Sequence, residues 1–123
     1  HVRVLGEDPR RSDLFQKGAA LLERLPPFWN PDDGSIDMVY WYFGTLSMFQ
    51  AGGSRWTAWS QALKRASAGT QRQDGSYCSF KGSWDPLDPW GTDGGRVFAT
   101  ALMTLCNEVA ARSDKVVLEG GPR

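Results

Sequence analysis

Two stretches of this sequence gather the side chains that could do chemistry. Between Thr70 and Gly94 the rings of Tyr77, Phe80, Trp84 and Trp90 alternate with the carboxylates of Asp74, Asp85, Asp88 and Asp93. Rings stack on sugar faces and a carboxylate pair does acid and base work, so Trp84, Asp85, Asp88 and Trp90 are candidate residues of a carbohydrate site. A connection this long inside one domain is often functional. The plainer reading of Trp84 is that it plugs a helical hairpin. In the second stretch, Tyr40, Trp41, Tyr42 and Phe43 are consecutive, so on a helix they point in several directions. Tyr40 and Trp41 are candidate binding residues, because ring faces that line a cavity stabilise a cation; the same rings also serve packing. Arg96 follows Gly94-Gly95 and could pair with Asp93 or Asp37, or hold an anionic ligand. The segment Asn30-Pro31-Asp32-Asp33-Gly34 reads as a turn from its Asn-Pro and Asp-Gly pairs.

Other chemistries have little to work with. His1 is the only histidine, and Cys78 and Cys106 lack the CxxC spacing of a zinc site. No metal or cofactor is implied. Both cysteines read as buried free thiols, with a disulfide as the alternative. Lys plus Arg and Asp plus Glu are 14 each, so no global field attracts nucleic acid. The most apolar run, Ile36 to Phe49, is too short to cross a bilayer and contains Asp37. The absence of Met at His1 reads as a fragment boundary. Compartment is left open.

Four helices must position these residues. Residues 12–25 place Leu14, Gly18, Leu21, Leu22 and Leu25 on one face, and Pro26-Pro27 ends that helix. Ser35 is the expected N-cap of a second helix, apolar nearly all round, that Gly52-Gly53 stops. Ser54 is the expected cap of a third, with Trp56, Trp59, Leu63 and Ala66 as a single stripe. The fourth, residues 95–112, carries Val97, Ala101, Leu105 and Val109 on one face with Phe98, Leu102 and Cys106 beside it. Striped helices thus alternate with broadly apolar ones, as outer and inner layers require. The expected organisation is an N-terminal extension (1–11), a hairpin module (12–112) and a flexible polar tail (113–123).

A shift of 55 residues superimposes Trp29, Pro31, Asp33, Phe43, Thr45 and Met48 on Trp84, Pro86, Asp88, Phe98, Thr100 and Met103 without a gap. The matches fall on the loop and apolar helix of each half, as in a repeated helical hairpin.

The segments DMVYWYFGTLSMFQAGG, GSWDP and GGRVFATALMTL resemble the C-terminal hairpins of bacterial proteins with prenyltransferase and squalene-oxidase type repeats, over about Leu14 to Ala111. The resemblance implies an all-α fold, part of a terpenoid-cyclase-like α/α toroid, here two hairpins with a long loop 70–94. Gln71 to Tyr77 resembles the QW motif of that family, with Tyr77 in place of Trp. The family's cyclases use a D-x-D-D-T acid motif; Asn30 to Gly34 is the nearest segment, which makes Asp32 and Asp33 candidate acids, with Asp37 beside them. Its first Asp is Asn30 and its Thr is Gly34. The prenyltransferase zinc triad and the thioester motif have no counterpart.

The expected function is accordingly a toroid module that belongs to a larger assembly and is inactive alone. Two hairpins do not close a toroid, so self-association or further hairpins of a longer chain are the expected partners, with a hydrophobic small molecule as the expected ligand. A helical scaffold for a protein or peptide and a carbohydrate-active toroid enzyme are the alternatives.

Overall fold

The computed structural model describes Asp8 and residues 11–73 and 80–119, with side chains as far as Arg112. It is all-α. Helix α1 spans Asp13–Arg24, α2 Met38–Ala51, α3 Gly53–Ala68 and α4 Gly91–Glu119. Among the described residues no helix is long and apolar enough to cross a membrane. Asp74, Tyr77 and Cys78, with most of the QW-like segment, lie outside the described residues.

Each boundary has a local cause. Ser12 caps α1 by accepting the Phe15 amide at 3.4 Å, and Pro26-Pro27 follow its end. Asp37, not the expected Ser35, caps α2: its Oδ1 accepts the Tyr40 amide at 2.9 Å. Ser35 is used in the preceding turn, where its amide donates to Asp33 and its hydroxyl to the Phe28 carbonyl. Gly52, at φ 65°, ends α2 by donating its amide hydrogen to Met48 O and also opens α3, so Ser54 has no capping role. In α4 only Gly95 is non-helical, at φ 65° and ψ −169°. It divides a short first turn from the main helix. That helix runs to Glu119.

Helix α2 is the centre. It packs on α1, α3 and α4, most extensively on α4. One cluster joins Ile36, Met38 and Trp41 to Leu63, Ala66, Trp84, Ala99, Met103 and Cys106. A second places Met48 and Trp59 against Ala19, Phe15 and Leu22. The indole of Trp59 donates to Thr45 Oγ1 at 2.9 Å, and the Thr45 hydroxyl donates to Trp41 O at 2.6 Å, which satisfies these buried groups.

The expected stripe holds for α3, where Trp59, Leu63 and Ala66 are buried and Trp56 is half-buried. In α1 the inward residues are Phe15, Ala19 and Leu22, whereas Leu14, at 83% exposed, Leu21 and Leu25 face outward. In α4 the buried line is Ala99, Met103, Cys106 and Ala110, and the expected line turns outward, with Val97 84% exposed and Ala101 and Leu105 exposed as well. The cause is common to both helices. Each has more apolar residues than one neighbouring surface can cover, and the neighbour selects the stripe.

Candidate functional site

The ends of α1 and α3 and the start of α2 meet around a cleft of about 720 Å³. The proline turn after α1 carries Phe28 and Trp29 across its mouth, and α2 supplies Asp37, Tyr40 and Trp41 from its first turn. Ala62 and Ala66 from α3 form part of the opposite wall. Trp29 packs on Trp41 with ring centroids 6.2 Å apart and planes tilted by 52°. Trp41 is almost fully buried and Trp29 half-buried, so one ring is floor and the other wall.

Polar groups fix this frame. The Tyr40 hydroxyl donates to the Leu25 carbonyl at 2.9 Å and so ties α2 to the last residue before Pro26-Pro27. Burial, with some help from the Asp37 charge, pushes the Tyr40 phenol up from its ordinary value. Arg24 and Arg65 lie in the last turns of α1 and α3 and line the same cleft, both exposed. Sequence reading missed both arginines and Phe28. The signal present was the pair of prolines, which must turn the chain and bring the following aromatics back over α2.

The other predicted residues are placed elsewhere. Asp32 and Asp33 sit in the exposed turn before α2. There Asn30 Oδ1 accepts the Asp32 amide at 3.1 Å and Asn30 Nδ2 donates to Asp33 at 2.7 Å. Ser35, whose amide donates to it, and then Asn30 hold the Asp33 carboxyl below its ordinary value, which favours a carboxylate over a proton donor. The turn reading of this segment is the one the hydrogen bonds follow.

Trp84 is buried; its indole donates to Ser67 O at 3.0 Å and its amide to Thr100 Oγ1 at 3.2 Å. It packs in the joint between α3 and α4. Asp85 is bound by two guanidiniums, Arg72 at 2.8 Å and Arg96. Burial alone would raise the Asp85 carboxyl, but these two charges outweigh it and hold it below the ordinary range. Arg96 also donates to Ser83 Oγ at 2.9 Å and lies 4.3 Å from the Phe80 ring centroid. Its partner is thus Asp85, not Asp93 or Asp37, because Gly95 turns the chain between Asp93 and Arg96. Trp90 is half exposed and lines no described cleft.

Asp88 lies under the start of α2, where its Oδ2 accepts the Met38 amide at 3.4 Å and its Oδ1 has no hydrogen-bond partner among the described residues. Burial pushes its carboxyl up from the ordinary value, and Asp37 adds to the effect. Cys106 is a buried free thiol pushed up to about 12, chiefly by burial. Such a thiol is a packing residue. Among the described residues no three His, Cys, Asp or Glu side chains converge to hold a metal ion. Of the predicted residues, Asp37, Tyr40 and Trp41 are brought to one cleft. Comparison with protein-family models, curated proteins and solved structures finds no match to this chain.

Proposed function

We propose that this chain is a helical-hairpin module of the terpenoid-cyclase and prenyltransferase-like α/α-toroid type, and that it receives a hydrophobic small molecule in the cleft beside Trp29 and Trp41. The module works within a larger assembly and is inactive alone. The alternation of striped with broadly apolar segments in the sequence, the 55-residue repeat and the close packing of α2 on α4 support the toroid part of the reading. The cleft carries the binding part. Its volume, about 720 Å³, suits a small organic molecule, and apolar and aromatic walls with few polar groups are what such sites use.

The carbohydrate alternative has less support. Asp85 is engaged by Arg72 and Arg96, and Trp84 is interior. Titration with farnesol, followed by tryptophan fluorescence, tests the proposal. Saturable quenching is expected, with affinity lowered about tenfold by Trp29→Ala through loss of one aromatic wall. A non-saturable response, or unchanged affinity in the variant, would remove the cleft from consideration.

A further inference from the structure

The cleft has a charge pattern that an apolar ligand alone does not use. Arg24 and Arg65 both line it, both are exposed, and neither guanidinium has a hydrogen-bond or ion-pair partner among the described residues. Nearby arginines behave differently: Arg55 is paired with Glu23, and Arg72 and Arg96 with Asp85. Among the described residues the one acid on the cleft wall is Asp37, whose Oδ1 is occupied by the Tyr40 amide. Two guanidiniums against one carboxylate leave a single net positive charge beside an apolar interior.

We infer that the ligand of this cleft is an amphiphile with one apolar tail and one negative charge, a medium-chain carboxylate, with its tail against Trp29 and Trp41 and its head drawn to Arg24 and Arg65. The inference rests on the cleft reading above and adds the chemical class of the ligand. A guanidinium offers a planar pair of donors that matches a carboxylate. The competing use of this site is an aromatic cage for an organic cation, with Asp37 as counter-charge. The excess of arginine over aspartate argues for the anion. Basic residues in a last helical turn also complement the helix dipole. That structural role changes stability and leaves ligand selectivity unmoved.

The intact chain is titrated with decanoate, decanol and decyltrimethylammonium below micelle-forming concentrations, with calorimetric readout. Decanoate is expected to bind about tenfold tighter than decanol, the scale of one charge-assisted head-group contact. In the double variant Arg24→Gln, Arg65→Gln that preference falls to less than about twofold, while decanol affinity is retained and so reports an intact cleft. Equal affinity for decanoate and decanol in the parent chain overturns the inference and leaves the cleft reading standing. So does a preference that survives the double variant, or tightest binding of the ammonium compound. Binding of none of the three overturns both.

Discussion

Asp88 is held where its charge is unwelcome. It is 6% exposed, its Oδ2 accepts a long bond from the Met38 amide, and its Oδ1 has no hydrogen-bond partner among the described residues. Burial first, and Asp37 second, raise the carboxyl above its ordinary value, while the amides of Met38 and Gly91 pull the other way. A carboxyl raised in the folded state binds its proton more readily there than in the unfolded chain. Its contribution to stability is therefore greatest below the ordinary aspartate range and is lost as pH rises through the raised value. Asp88→Asn keeps a carbonyl oxygen for the Met38 amide and removes the charge. The variant is expected to be more stable than the parent at pH 7, with the difference shrinking toward pH 4. Urea unfolding at the two pH values checks this; a difference independent of pH would mean that the charge is not the cause.

At the scale of the helix, Gly44 decides how closely α2 and α3 approach. A Cβ there would lie 2.5 and 2.6 Å from Trp59 Cζ2 and Cη2. The indole cannot easily withdraw, because Trp59 is buried and its N–H is bound to Thr45. Alanine gains about 1 kcal/mol over glycine in a helix interior, and overpacking a rigid core costs about 1–3 kcal/mol. With a contact this short, Gly44→Ala is expected to destabilise by about 1–2 kcal/mol net. Gly18, in the middle of α1, has nothing within 4 Å of its hypothetical Cβ. Gly18→Ala should therefore stabilise by about 0.5–1 kcal/mol. Thermal unfolding of the two variants should shift in opposite directions, and a stabilising Gly44→Ala would contradict the close approach.

These helices also mark where sequence stops being informative. Four helices, their order and the Gly52-Gly53 break are legible, because apolar density and glycine act locally. The buried stripe of α3 is legible for the same reason, since its apolar residues leave one choice. In α1 and α4 several stripes are apolar, and only the neighbouring helix determines whether Leu21 or Leu22, Val97 or Ala99, turns inward. The cleft divides likewise. Asp37, Tyr40 and Trp41 come from one helical turn and are recognisable together, whereas Arg24 and Arg65 are 41 residues apart in sequence and come to line one cleft only through the fold.

For the molecule as a whole, the same excess of apolar surface sets its behaviour in solution. Leu14, Leu21 and Leu25 lie outward on α1, Phe43 is 61% exposed on α2, and Val97 and Leu105 line the outer side of α4. The α4 residues sit beside an open groove that also takes in Ala101 and Thr104. The outer faces of α1 and α4, with Phe43 of α2 besides, are thus left apolar. Burial of such surface is favourable by about 25 cal/mol per Å², and patches of this kind on a small chain are normally covered by a partner. The 13.6 kDa chain is expected to self-associate at micromolar concentration when no further hairpins are present. Light scattering should give a mass of two chains or more. Val97→Lys with Leu105→Lys places two charges in the α4 face, outside the core line of Ala99, Met103 and Cys106, so it should lower the mass without unfolding the chain. If the faces act independently, Leu14→Lys with Leu21→Lys on α1 is needed as well to reach the monomer. A parent chain that is monomeric throughout the micromolar range would show that these faces are tolerated in water, and the proposed larger assembly would lose its physical basis.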